Sequence, residues 1–437
     1  MAGLLAARVL SDFYASVTLV ERDALPENAI QRRGVSQGRH LHALSTRGSM
    51  VLTELFPGLF DELLASGANL IDGTDASQIY ARIFGHELSR TGDIANPEAL
   101  RTHLASRPLL EAHVRRRVRA LANVTFLEDH DVVEPVLGDA NRVVGARVVD
   151  RAANRERVLK ADLVVDATGR SARTPAFLEK HGYAGPPEQK YAVDLSYATQ
   201  FFRVPDGALA QKMLIVGPTV ERATGAGVLT YENGTVCLTL MGIAGHKLPT
   251  DLPGLLTLAT ELLPAATVAA LRAGEPIGEV AAQHYPTSVW RRYDRLKRFP
   301  QGFLVIGDAV CSFNPVYGQG MTTAALQAKA LGDCLRDDAA DDVGRRYFHR
   351  AAKKLAPIWQ SNRLNDFALR PVDDWRAVPQ RVLNWNLDKV VAAAADDIVL
   401  SEAFMRTLTL TGAPSRLLRP SMLMRVIRGN RRRVRTT

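Results

Sequence analysis

The chain has 437 residues, 46% of them hydrophobic and 23% charged, with a formal net charge of +9. That is longer than one ordinary domain and apolar enough for a large core, yet no run reaches the ~18 apolar residues of a membrane-spanning helix. The first residues lack the charged region and cleavage site of a secretory signal, and Cys237, Cys311 and Cys334 show no metal-type or CxxC spacing, so a reducing, cytoplasmic location is expected.

In chain order, Met1–Leu10 reads as a helix with Gly3 near its start, and Ser16–Val20 as a strand closing on Glu21, Arg22 and Asp23. Arg32 and Arg33 follow in a polar stretch. His40 and His42 imitate a metal pair, but no third ligand sits nearby and no metal is expected. Arg107 opens a helix at Ser106–Glu111. Leu163–Val165 reads as a buried strand running into a turn at Gly169, within the stretch Ala161–Pro175. From about Tyr191 to Ile243 the pattern alternates as strands do, and Asn233-Gly234 marks a hairpin. Pro253–Arg272 reads as helical, and Gln283–Tyr293 is expected to return the chain to the first domain. Beyond Asp341 the pattern is helical, with Trp359, Trp375 and Trp385 assigned to core filling.

The segment from Arg416 to Arg435 holds eight arginines and no acid, among Leu417, Leu418, Met422, Leu423, Met424, Val426 and Ile427. Such a basic, apolar segment suits an anionic membrane surface or an acidic carrier protein. It has no aromatic residue, and nucleic acid is not expected as a partner.

The most informative stretch is Phe303–Leu331. An apolar strand, Phe303–Ile306, ends at Gly307-Asp308; a loop carries Pro315, Gly318 and Gly320; Met321 then enters an Ala-rich helix. A strand that delivers a lone carboxylate into a glycine loop at a helix start suits a ligand with a polyol and an acidic ring edge. Asp308 would accept hydrogen bonds from the polyol. Gly318 and Gly320 let backbone N–H groups and the positive helix end approach the ring.

This Gly-Asp-Ala … Pro-x-x-Gly-x-Gly-Met pattern resembles the second FAD fingerprint of the single-component flavoprotein monooxygenases, which include aromatic hydroxylases, squalene epoxidase and polyether epoxidases. The resemblance runs from Met1 to about Leu355. It implies an α/β fold: a Rossmann-like, doubly wound FAD-binding domain, an inserted antiparallel β-sheet substrate domain, and a helical C-terminal region. The boundaries expected are 1–190 and 285–350 for the two parts of the FAD domain, 191–284 for the substrate sheet, and 351–437 for the helical region with its basic tail.

By the same resemblance Gly3 is the third glycine of a Gly-x-Gly-x-x-Gly loop, and Glu21, 18 residues later, is the ribose-binding acid. The first strand and first two glycines would then lie upstream, with Met1 an internal methionine. Arg22 and either Arg32 or Arg33, of which Arg33 is the candidate taken, would lie near the adenosine or flavin; Arg107 would sit beside FAD, and Val132 would hold adenine through its backbone. Asp308, Pro315, Gly318, Gly320 and Met321 complete the FAD set. In the 161–175 motif Thr168 replaces the aspartate of the hydroxylases, which weakens the implication that NADPH binds there.

The activity implied is FAD-dependent insertion of one oxygen atom from O2, through a flavin C4a-hydroperoxide, into a hydrophobic polyketide or isoprenoid-like substrate. The electron donor is NAD(P)H or a reduced-flavin partner. The catalytic side chains are unknown, because the chemistry is the flavin's and no acid–base pair stands out, which suits epoxidation slightly better than phenol hydroxylation. Phe201, Phe202, Met213, Leu238, Leu240 and Met241 in the middle sheet fit an apolar substrate. The alternatives are an FAD-dependent reductase of isoprenoid double bonds, which lacks its Tyr-x-Trp-x-Phe-Pro motif here; a halogenase, whose Trp-x-Trp-x-Ile-Pro Asn384-Trp385-Asn386 does not match; or a non-catalytic degenerate flavoprotein.

Overall fold

A computed structural model of the chain describes residues 1–32, 34–337, 343–369 and 378–436. Arg33 and Trp375 lie outside the described residues. The fold is α/β. Four short parallel strands and their helices form one layer, and a large, mostly antiparallel sheet forms the other.

The first helix, Ala2–Leu10, buries Leu4, Leu5, Val9 and Leu10, at the spacing of one helical face. It packs against Gly320–Arg336, whose Ala325, Ala328 and Ala330 are fully buried. Small side chains on that face bring the two backbones close: a Cβ at Gly332 would lie 3.3 Å from Val9. Val17–Val20 pairs in parallel with Val124–Leu127, and Val164–Asp166 with Phe303–Val305. The single doubly wound sheet expected from the pattern therefore appears as two parallel pairs, with no ladder joining them among the described residues.

The second layer is an eight-stranded sheet ordered Cys311–Ser312, Glu275–Arg291, Glu188–Arg203, Thr235–Gly242, Thr224–Thr230, Met213–Val216, Ile79–Ile83 and His86–Glu87. The Asn233-Gly234 hairpin forms as read, with both residues in the left-handed region (φ 57° and 65°) that a tight two-strand connection demands. Two features differ from expectation. The sheet recruits strands from outside 191–284, and Met213–Val216 pairs in parallel with Ile79–Ile83. Gln283–Arg291 is the second half of a 17-residue strand paired along Glu188–Arg203, and it carries Tyr285 and Trp290 into the main core beside Phe303.

Strand alternation divides the apolar residues between two faces. Phe202, Leu238 and Leu240 point away from the parallel strands and pack under the helices Leu252–Leu262 and Ala265–Ala273. Of the residues read as substrate-facing, only Phe201, Met213 and Met241 lie on the opposite side. At the C-terminal end, Trp359 is buried in the main core, whereas Trp385 is 61% exposed rather than core-filling.

Candidate functional site

Three segments far apart in sequence meet at the start of the first helix. Gly3 faces the turn after Val164–Asp166, where a Cβ on the glycine would lie 3.4 Å from Ala167. Gly307 adopts φ 74°, and a Cβ there would sit 2.7 Å from Ala2. Both the left-handed backbone and this close approach require glycine. The Gly307 N–H donates to Gln327 Oε1 at 3.0 Å, which fixes the turn to the long helix behind it.

Asp308 follows, open to solvent but surrounded by protein on most sides. Burial pushes its carboxyl up, while Arg107, the terminal amine and Arg170 pull it down. Those opposing influences place guanidinium groups from two other segments, Arg107 and Arg170, around this one carboxylate. The next turn, Pro315–Tyr317, is capped by Gly318 in the left-handed region, φ 63°. A Cβ built on Gly320 meets nothing within 4 Å, so the mouth of the helix Gly320–Arg336 is open space. Among the described residues no acceptor meets the N–H groups of Gly320, Met321 or Thr322. Such unsatisfied donors at a helix start attract an anion or an acidic ring edge. Met321 itself is buried in the core.

Glu21 stands just past Val17–Val20 and accepts from the N–H groups of Arg22 and Asp23 at 2.9 and 3.2 Å. Arg32 links it to the site, with contacts of 3.4 Å to Glu21, 3.2 Å to Asp23 and 2.7 Å to Glu111. Glu111 also pairs with Arg107 at 3.1 Å. Burial would raise the Glu111 carboxyl, but the terminal amine, Arg107 and Arg32 hold it at about 2. A shallow surface recess lies between Arg32, Arg107, Glu111 and Arg115. Of the two neighbouring arginines, Arg32 occupies this network. Arg22 turns outward and pairs with Asp131 at 3.1 Å, and Val132, next along that strand, is 40% exposed.

A second cluster was not visible in the sequence. Asp366, on the helix Val343–Ala368, accepts from Asn314 Nδ2 at 2.7 Å and from the Tyr317 hydroxyl at 2.8 Å. Asn362, one turn earlier, donates to Gln319 Oε1 at 2.9 Å. The glycine loop is thus pinned from behind by two polar side chains of one helix. Tyr197 lies on the sheet face nearby; its buried hydroxyl has no hydrogen-bond partner among the described residues. Burial, then the influence of Tyr285 and Asp366, pushes its phenol up. The same pair of causes, burial and Asp366, raises Tyr317. Both phenols stay protonated at neutral pH.

Tyr285 joins this wall to the mouth. Its hydroxyl is 2.6 Å from Ser312 Oγ, and the Arg170 guanidinium lies 4.3 Å over its ring. His40 completes the wall, its ring 5.7 Å from Tyr197 and its Nδ1 2.9 Å from Thr199 Oγ1, which in turn meets Thr239 at 2.7 Å. His42 Nδ1 lies 2.9 Å from the His40 carbonyl oxygen.

No family model matches the chain. Protein Rv3254 of Mycobacterium tuberculosis (strain ATCC 25618 / H37Rv) is 40% identical over 427 residues, covering 94% of this chain and 88% of that protein. The chain belongs to the family of Protein Rv3254. Among solved structures it is similar to p-nitrophenol 4-monooxygenase PnpA from Pseudomonas putida DLL-E4, with a TM-score of 0.66 at 17% identity over 94% of this chain and 96% of that one. PqsL of Pseudomonas aeruginosa in complex with 2-aminobenzoylacetate gives 0.65 at 18% identity, over 89% and 96%. The flavin-dependent brominase Bmp2 gives 0.64 at 14%, over 92% and 91%. The fold is therefore that of the FAD-dependent monooxygenases and their flavin-dependent relatives.

Proposed function

We propose that this protein is an FAD-dependent monooxygenase that transfers one oxygen atom from O2 to a hydrophobic substrate of polyketide or isoprenoid type. The observation that carries this reading is the open mouth at Gly318–Gly320 beside Asp308. An accessible carboxylate, three N–H groups without acceptors and empty space where a side chain would otherwise stand fit the ribityl chain and acidic ring edge of a flavin. Glu21 suits the ribose hydroxyls of the adenosine half, while Arg32 and Arg107 supply positive charge close by.

Bound and reduced FAD would supply the chemistry that activates O2. The chain's own residues do the rest. Asp308 and the helix start would orient the cofactor; the sheet face would roof the site and exclude water; Arg170 stacks over Tyr285 beside it. Tyr197 offers a protonated hydroxyl donor to a polar end of an otherwise apolar substrate, and Asp366 holds Tyr317 and Asn314 in register behind the loop. Thr168 bonds back to Asp166 at 2.6 Å rather than presenting a charge, which favours reduction by a separate flavin reductase over direct NAD(P)H binding.

The test is to load the purified protein with FAD and supply isotopically labelled dioxygen with either NAD(P)H or a flavin reductase, scanning apolar polyketides and isoprenoids. Label appearing in product supports the reading. Saturation of a double bond without label gives the reductase instead, and a protein that never binds FAD overturns both.

A further inference from the structure

The C-terminal segment has two faces of different character. Inward, Leu417, Met422 and Val426 pack into a cluster with Val391, Leu400 and Phe404. A Cβ on Gly429 would come within 3.0 Å of Ala393, so the helix Pro420–Thr436 lies tightly against Val378–Ala394. Arg425 pairs with Asp397 at 2.7 Å and Arg433 with Asp396 at 2.6 Å, which fixes the helix's rotation.

Outward, Leu423, Met424 and Ile427 are 41%, 49% and 48% exposed, and Leu418, just before the helix, is 69% exposed. Positions 423 and 427 are one turn apart, and 424 lies beside them, so the three form one apolar stripe. Arg419, Arg428 and Arg431 are exposed along it and have no ion pair among the described residues. On the neighbouring helix the indole of Trp385 is also exposed, with Lys389 Nζ 5.9 Å from its ring centre. No described helix is long and apolar enough to cross a membrane.

We propose that the outer face of Pro420–Thr436 docks the enzyme onto an anionic lipid bilayer. The segment from Arg416 onward carries eight arginines and no acid, and Arg419, Arg428 and Arg431 stay exposed on its outer side, a charge that favours an anionic partner. The exposed apolar stripe and the arginines beside it run along one outward side of a single helix. A fluid surface accepts that arrangement, letting leucine, methionine and isoleucine sink to the acyl boundary while arginines reach the headgroups. A folded acidic protein would have to bury that stripe in an apolar cleft of its own. This inference does not rest on the flavin chemistry, and its failure would leave that reading standing.

The experiment is flotation of the full-length protein with vesicles of phosphatidylcholine alone or mixed with phosphatidylglycerol, at low and high salt. Binding to the anionic vesicles only, weakened by salt, is expected. Leu423→Glu with Ile427→Glu should weaken it roughly tenfold or more. Arg419→Gln with Arg428→Gln and Arg431→Gln should weaken it on the order of a hundredfold. All five positions are exposed, so circular dichroism and melting temperature should not change. No binding to anionic vesicles, or binding that the glutamate pair leaves intact, overturns the proposal. Tight binding of a soluble polyanion that is equally insensitive to the glutamate pair overturns it in favour of an acidic macromolecule.

Discussion

The glycine mouth and the tyrosine wall meet where Tyr285 touches Ser312 but are built differently. The mouth, from Gly307 to Thr322, comes from one unbroken stretch of chain whose geometry is set by local backbone: a left-handed glycine, a capped turn, a helix start. The wall of Tyr197 and Tyr285, with Asp366 behind the loop, is assembled from two long strands and a distant helix, and exists only once all of them have packed. A site with one locally specified side and one assembled side can keep its cofactor end constant while the other end changes with the substrate.

The mouth is most sensitive at Gly307. Replacing it with alanine puts a Cβ against Ala2 and strains a backbone at φ 74°, which should cost roughly 2–4 kcal/mol of stability in a chemical melt. Gly320→Val makes the complementary test. Its Cβ meets no atom of the protein, so the melt should stay within about 1 kcal/mol of wild type while FAD affinity falls sharply. A variant that melts early but keeps its affinity would mean that the open space has no cofactor role.

On the wall, Tyr197→Phe removes a buried hydroxyl without a partner. The fold should tolerate it, FAD binding should be unchanged, and KM for the substrate should rise about tenfold, the worth of one hydrogen bond. An unchanged KM would remove Tyr197 from the substrate's contacts.

The smallest effect is on acid stability. Burial holds His42 and His103 at about 4 in the folded chain, against 6.5 for the free side chain, with Arg107 and Arg101 respectively adding to the depression. Between those pH values the unfolded chain binds more protons than the folded one. Stability is therefore complete above about pH 6.5 and declines as pH falls toward 4. Stabilities from urea melts of wild type and His103→Gln, plotted against pH across that window, should differ in slope, the variant losing less. Parallel curves would place the acid sensitivity elsewhere.

The same division explains what could be read in the sequence. Asp308, Gly318 and Gly320 were legible because strand, turn and helix follow within a short span and each residue type has a local reason. Asn233-Gly234 announced its hairpin for the same cause. Asp366 gave no signal: it is 49 residues from Tyr317, and an aspartate in a helical pattern reads as a solvated face. Ile79–Ile83 could not be assigned to the large sheet, since its partner Met213–Val216 lies far along the chain. Arg107, Glu111 and Arg115 did leave a trace, three charges at four-residue spacing on a helix face that proves buried, and that pattern could have singled out the network holding Arg32.

Titration of the purified protein with FAD, followed by flavin fluorescence, tests the central claim most directly when run beside Asp308→Ala. The account predicts saturable binding of one FAD per chain, weakened about 10- to 100-fold in the variant, as loss of a charged hydrogen-bond acceptor implies. No saturation in the wild-type protein, or equal affinity in the two proteins, would contradict it.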